Sequence, residues 1–138
     1  MKNSFVLSMV AGICAVSALS VPTLAQAGEY GAIAYSEGTG AYGWATDYDT
    51  RDIAESVALR RCGEHAQDCY VAIWVHNGCA ALARGSRVGN VVHAGWAWAT
   101  GQGSESANRG VAERQALTFC SQRTTNCTVT ATVCSGRQ

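Results

Sequence analysis

The sequence has almost no net charge, and this absence excludes two large classes of partner. Ten Lys and Arg residues balance ten Asp and Glu residues, and the one lysine, Lys2, stands at the N-terminal end. Strong attraction to nucleic acid or to anionic lipid needs an excess of positive charge. We therefore expect no nucleic-acid partner and no electrostatic binding to a membrane surface.

Signatures of metal binding and of catalysis are also missing. Six residues lie between the cysteines of each repeated pair, Cys62/Cys69 and Cys120/Cys127, whereas zinc knuckles use two to four. Ser36 lies in the sequence Tyr35-Ser36-Glu37-Gly38, which lacks the Gly-x-Ser-x-Gly elbow of serine hydrolases. Acids and bases for a hydrolase are present, but no motif fixes their geometry; they are His65, His76, His93, Glu55 and Glu113. We therefore predict that the protein binds no metal or cofactor and has no catalytic residue. A small secreted hydrolase is the third functional hypothesis, after protein binding and glycan binding.

The first 27 residues have the pattern of an export signal that is removed. Lys2 precedes an apolar run from Phe5 to Leu24, which ends in Ala25-Gln26-Ala27. Signal peptidase cuts after such a small-x-small sequence, so we predict cleavage after Ala27 and one mature domain, residues 28–138. A retained membrane anchor is the alternative, but serines dilute the run and a spanning helix needs about 20 strongly apolar residues. The predicted location is secreted or periplasmic, without membrane insertion after signal removal.

Loss of the leader removes Cys14 and leaves an even number of cysteines. In a short exported chain this pattern indicates a framework of three disulfides. The six are Cys62, Cys69, Cys79, Cys120, Cys127 and Cys134.

An internal duplication organises the mature chain. Residues 50–69 align with residues 108–127 at a constant offset of 58, and both cysteines of each segment coincide. Arg51 aligns with Arg109, and Glu55 with Glu113; these pairs also predict i,i+4 ion pairs on exposed helix faces. Upstream, Gly43-Trp44 corresponds to Gly95-Trp96. We interpret the domain as two copies of one unit, about 28–78 and about 79–138.

Each copy has the pattern of a β-β-α-β unit. First strands are predicted near 30–36 and 79–84, Trp-bearing second strands near 42–46 and 93–100, and final strands at 69–76 and 127–134. Thr50 and Asn108 are the candidate N-caps of the two helices. Their apolar stripes have the spacing that buries one helix face; they comprise Ile53, Ala54, Val57 and Ala58, then Val111, Ala112, Ala116 and Phe119. The predicted fold is α+β, with pseudo-symmetric halves building a mostly antiparallel sheet covered by two helices.

The duplication also predicts how the cysteines pair. Cys62 closes the first helix and Cys69 opens the next strand, and Cys120 and Cys127 repeat that arrangement. We expect these to be equivalent local disulfides. The remaining pair, Cys79 and Cys134, would join the ends of the two final strands.

The aromatic residues are the leading binding candidates. Trp96 and Trp98 fall on one face of a strand because strand side chains alternate. An exposed face would be a platform for sugar rings or an anchor for a protein partner, whereas a buried face would be core. The candidate binding residues are Trp44, Trp96, Trp98, Tyr42 and His93.

The order of short motifs along the chain resembles the bacterial domain-of-unknown-function family DUF4189. The motifs are 30–36 (YGAIAYS), Gly43-Trp44, Arg51, Ala54-Glu55, Ala58-Leu59, Cys62-Gly63, Cys69 and 77–83 (NGCAALA). The chain departs from the family pattern at 86–93, which lengthens the loop before Trp96. The resemblance implies a small secreted protein without established catalytic residues. Since mycobacterial members are associated with the host, it also implies a role in virulence.

Taken together, the sequence predicts a non-catalytic binding protein. Its partner would be another protein: a host factor, a rival's toxin or an envelope component. The main alternative is a module that binds cell-wall glycan through Trp96 and Trp98.

Overall fold

The two halves of the chain fold in the same β-β-α-β order. The computed structural model describes residues 28–101 and 103–136, so the predicted signal peptide, 1–27, lies outside the described residues. The elements are β1 Tyr30–Tyr35, β2 Tyr42–Tyr48, α1 Arg51–Gly63, β3 Tyr70–His76, β4 Gly78–Val88, β5 Val91–Thr100, α2 Glu105–Ser121 and β6 Thr128–Ser135. The predicted α+β class is confirmed.

Each half forms its own three-stranded antiparallel sheet. The strand orders are β2-β1-β3 and β5-β4-β6, so the first strand of each copy is central. These central strands carry the apolar runs 31–35 and 79–83, the composition of strands that are covered on both faces. No strand of one half pairs with a strand of the other, so the described residues form two separate sheets. They stack face to face, with β3 over β5 and β2 over β6.

The stack has four layers: α1, the first sheet, the second sheet and α2. Small residues, mostly alanines, line the sheet faces that meet the helices. Larger side chains fill the space between the sheets and form the central core: Ile33, Tyr35, Ile73, Val75, Leu82 and Val133, with Ala80 and Ala94. None of the helices in the described ranges is long and apolar enough to span a membrane.

Two glycines set how closely each helix lies on its sheet. A Cβ atom at Gly43 would lie 2.3 Å from the Cys62 backbone nitrogen, and one at Gly95 would lie 2.2 Å from the Cys120 backbone nitrogen. The helix backbone thus rests directly on the second strand of each copy. This contact explains the Gly-Trp pair at equivalent positions of the duplication.

The three predicted disulfides are confirmed. Cys62–Cys69 and Cys120–Cys127 have the same Cα separation, 6.1 Å, and tie each helix to the strand after it. Cys79–Cys134 joins β4 to β6 within the second copy, and not the two final strands β3 and β6 as predicted, because Cys79 lies on β4. In the first copy the equivalent strand positions hold Tyr30 and His76, whose rings stack 4.5 Å apart. An aromatic stack therefore replaces the covalent bond.

The helix ends differ from the sequence prediction in the second copy. Thr50 caps α1 as predicted, accepting a hydrogen bond from the Ile53 amide at 3.3 Å. Asn108 is not the cap of α2; Ser104 is, and it accepts from the Ala107 amide. The second helix therefore begins one turn earlier than its aligned partner. Ile53 and Phe119, predicted to be buried, are about half exposed.

The segment 86–93 was predicted to be a longer loop, and this prediction is wrong. It extends the β4–β5 hairpin instead, with Val88 paired to Val91 across a two-residue turn. Gly89 takes the positive φ that the turn requires, 62°.

Candidate binding surfaces

An apolar groove runs along one open side of the stacked sheets, where β3 and β5 are the neighbouring edge strands. We call it the tryptophan groove. Its volume is about 420 Å³, and its lining residues are Ala72, Ile73, Trp74, Val75, His76, Trp96, Trp98 and Thr100. A single cavity thus brings together three of the chain's four tryptophans.

The three indole rings are held in different ways. Trp98 is 60% exposed and Trp74 is 39% exposed. The Arg51 guanidinium lies 4.3 Å from the centroid of the Trp74 ring. Trp96 is partly buried, with the Tyr70 ring packed edge-on against it. Cation–π and edge-to-face contacts of this kind orient an aromatic side chain without burying it completely, so the groove has an ordered wall and an accessible ring, Trp98.

The pseudo-equivalent side of the stack, between β2 and β6, is closed by polar contacts. Thr46 occupies the position of Trp98, and Thr132 occupies that of Trp74. The Thr46 hydroxyl of β2 donates to the Cys134 carbonyl of β6 at 2.6 Å, and the Asp47 amide donates to the Ser135 hydroxyl at 3.0 Å. The aromatic lining is therefore specific to one side and is not a by-product of the repeated fold.

A second, more polar cavity lies beside β2, at the other edge of the first sheet. We call it the cationic cleft. It measures about 690 Å³ and is lined by residues 39–44, Arg61, Glu64, His65 and Arg84. Trp44, 44% exposed, forms part of its wall. Arg61 comes from the last turn of α1, whereas Arg84 comes from β4 of the other copy.

Backbone carbonyls position both arginines of the cleft. Arg61 donates through Nη1 to the Trp44 carbonyl at 2.6 Å, and its guanidinium lies 5.0 Å from the centroid of the Trp44 ring. Arg84 donates through Nη1 to the Gly40 carbonyl at 2.5 Å. Because each guanidinium has five N–H donors, these bonds fix the side chains and leave further donors in the cleft.

The duplication places a smaller pocket at the equivalent position of the second copy. It measures about 260 Å³ and is lined by Gly95, Trp96, Phe119, Gln122 and Arg123. At an offset of 58, Phe119 replaces Arg61, Gln122 replaces Glu64, and Arg123 replaces His65. The two pockets share their Gly-Trp wall and differ in charge and size.

Loop contacts fix the end of the stack next to the cleft. The buried Ser36 hydroxyl donates to Asp68 at 2.5 Å, and the Gly38 amide donates to the other oxygen of that carboxylate. These hydrogen bonds hold the pKa of Asp68 below its ordinary value. Burial raises the pKa of Tyr35 to about 12, and its hydroxyl donates to the Val92 carbonyl. Burial, then a hydrogen bond to Glu37, raises the pKa of Tyr70. Each of these three side chains therefore makes a hydrogen bond within the fold.

The sequence-predicted binding residues divide between the two cavities. Trp96 and Trp98 line the tryptophan groove, and Tyr42 and Trp44 line the cationic cleft. His93 alternates with Trp96 and Trp98 along β5 and lies on the other face of that strand. The sequence did not single out Trp74 or His76 for the groove, nor Arg61 and Arg84 for the cleft.

The residues considered for hydrolysis do not converge. His65 lies in the cleft, His76 in the groove, and His93 in neither. Glu55 forms the predicted ion pair with Arg51 at 2.6 Å. The predicted Arg109–Glu113 pair is wrong: Arg109 pairs with Glu105, because the earlier start of α2 brings that carboxylate within one turn.

Comparison with known proteins identifies relatives without assigning a function. The family model described as domain of unknown function (DUF4189) matches residues 30–134. Similar curated proteins include Protein Rv1269c of Mycobacterium tuberculosis and Protein Mb1300c of Mycobacterium bovis, each 45% identical over 58 residues. The match covers 42% of this chain and 44% of each relative, so it spans less than half of their length. No solved structure matches the chain.

Proposed function

The chain belongs to the DUF4189 family, and we propose that it is an exported, non-catalytic protein that binds an extended segment of a protein partner in the tryptophan groove. The observation that carries this proposal is the set of three tryptophans along one open side of the stack. Trp is among the residues most enriched at the energetic centres of protein interfaces. A ring that is 60% exposed, as Trp98 is, has a large apolar surface left to bury.

The composition of the groove favours a protein over a sugar. Its polar side chains are His76 and Thr100, and its other lining residues are aromatic or aliphatic. A sugar ring needs several hydrogen-bonding groups beside the aromatic surface, because its hydroxyls lose water on binding. Apolar side chains of a partner need only the aromatic walls. Cell-wall glycan binding through Trp96 and Trp98 is therefore the weaker alternative.

The strands that flank the groove favour an extended partner segment. Both β3 and β5 are edge strands and pair with one neighbour each. An edge strand presents backbone N–H and C=O groups that an added strand can pair with, while alternate side chains of that strand enter pockets. The groove offers these two features side by side.

Export is the second part of the proposal. Disulfides persist in oxidising compartments outside the cytosol, and the described domain holds three of them. With the signal-peptide pattern of residues 1–27, this supports a secreted or periplasmic location. The partner would then be a host factor, an envelope component or a rival's toxin. A toxin gene next to this one in the genome would favour an inhibitor.

Selection from a random peptide library on the oxidised domain tests the proposal. Trp98→Ala should weaken the selected peptides by about 2 kcal/mol or more, roughly 30-fold. Trp44→Ala is the matched control, because that ring is also exposed but lies at the other edge of the first sheet. Equal losses in the two variants would contradict the proposal. Retention on peptidoglycan, lost in Trp98→Ala, would support the glycan alternative instead.

A further inference from the structure

The cationic cleft lies at the β2 edge of the first sheet, whereas the tryptophan groove lies at its β3 edge. We propose that the cleft is an independent site for an acidic saccharide, whose carboxylate pairs with Arg61 and Arg84 while a sugar ring stacks on Trp44. This site does not depend on the proposed function of the groove. Its volume, about 690 Å³, is within the range of small-molecule sites.

The two guanidiniums, of Arg61 and Arg84, are positioned to bind an anion. Each is fixed by a hydrogen bond to a backbone carbonyl, Arg61 to Trp44 and Arg84 to Gly40. Within the described part of the chain, the ion pairs involve Arg51, His76 and Arg109, so neither arginine of the cleft is neutralised by a carboxylate within 4.0 Å. A guanidinium held in place loses less entropy on binding, and its planar fork matches a carboxylate.

Trp44 makes a sugar acid a better fit than a simple anion. The Arg61 guanidinium lies 5.0 Å from the ring centroid, so positive charge and aromatic surface are adjacent. An acidic sugar presents the same combination, a carboxylate on a ring with apolar C–H faces. Glu64 and His65 add an acceptor and a ring nitrogen at the rim, where sugar hydroxyls would need them. The tryptophan groove lacks this polar rim.

Comparison with the second copy of the repeat indicates that the charges of the cationic cleft are specific to the first copy. Its equivalent pocket keeps the Gly-Trp wall but has Phe119 in place of Arg61 and measures about 260 Å³. There, Arg123 lies 5.7 Å from the Trp96 ring centroid. The fold thus builds the same pocket twice, and the first copy enlarges it with a second guanidinium, Arg84, from the other half of the chain.

Titration of the ¹⁵N-labelled oxidised domain with oligosaccharides containing galacturonate, glucuronate or muramate tests this site. We expect at least one to shift the Trp44 indole N–H resonance, and the same sugar with its carboxyl reduced to an alcohol to cause no shift. Arg61→Gln should weaken binding about tenfold or more, as loss of a charge-assisted hydrogen bond does. Arg61→Lys keeps the charge, so its affinity for the sugar should lie between those of the wild-type protein and Arg61→Gln.

Arg123→Gln is the matched control, since it also removes a guanidinium from above a tryptophan at the equivalent pocket. It should leave binding within about twofold. A dispersed spectrum for each variant shows that it is folded. The proposal is overturned if no acidic sugar shifts Trp44 up to about 10 mM, if the neutral sugar binds equally, if inorganic sulfate gives the same shift, or if Arg61→Gln and Arg123→Gln have equal effects.

Discussion

Removing the long disulfide should destabilise the fold nearly twice as much as removing either short one. Cys79 and Cys134 are 55 positions apart in the sequence, whereas the two cysteines of each local disulfide are 7 positions apart. A disulfide stabilises mainly by restricting the unfolded chain, and the effect grows with the logarithm of the loop. The expected loss is about 4 kcal/mol for the long disulfide and about 2.4 kcal/mol for each short one.

Urea denaturation of three double Cys→Ala variants, kept under non-reducing conditions, measures these losses. Tryptophan fluorescence and circular dichroism should give coincident transitions if unfolding is two-state. Small domains are stable by about 5–15 kcal/mol, so loss of the long disulfide removes a large share of the total. Equal losses in all three variants would show that loop length does not determine the stabilisation, as would a larger loss for a short disulfide than for Cys79–Cys134.

Two further predictions concern the contact of Gly95 with α2 and the dependence of the unfolding free energy on pH in the acid range. Gly95→Ala should lower the free energy of unfolding by about 2–3 kcal/mol or more, because its Cβ would lie 2.2 Å from the Cys120 nitrogen. Gly63→Ala is the control, because a Cβ there meets nothing within 4 Å. Equal unfolding free energies for the two variants would contradict the proposed contact between β5 and α2. Since its hydrogen bonds lower the pKa of Asp68 from 3.8, the ionised carboxylate stabilises the fold above that pH and loses its effect as the pH falls below it. In Asp68→Asn, the free energy of unfolding should therefore fall less steeply as the pH is lowered through the acid range. Identical pH curves for the variant and the wild-type protein would show that the Asp68 carboxylate does not stabilise the fold.

Most of the fold could be predicted because the chain repeats itself. The offset of 58 carries Cys62 onto Cys120 and Cys69 onto Cys127, so symmetry alone fixed the two short disulfides and left one remaining pair. The same reasoning failed at Asn108, which was carried over from Thr50. Ser104 lies one turn earlier and caps α2 instead, since local capping chemistry outweighs alignment with the first copy.

The partition of strands and the binding cavities were harder to predict. Alternation along a strand shows that Trp96 and Trp98 share a face, but it does not show which strand lies opposite. Trp74 joins them because β3 stacks over β5, a contact between different sheets. Arg84 reaches the cationic cleft from the other copy in the same way. Such contacts depend on how the layers stack, which local periodicity does not encode.

Titration of the ¹⁵N-labelled domain with a library-selected peptide tests whether the tryptophan groove is the peptide-binding site, because the chain has four tryptophans and each indole N–H gives its own signal. We expect saturable shifts for Trp74, Trp96 and Trp98, with the Trp44 signal unchanged. A shift that centres on Trp44, or peptide binding that leaves all four indoles unperturbed, would contradict it.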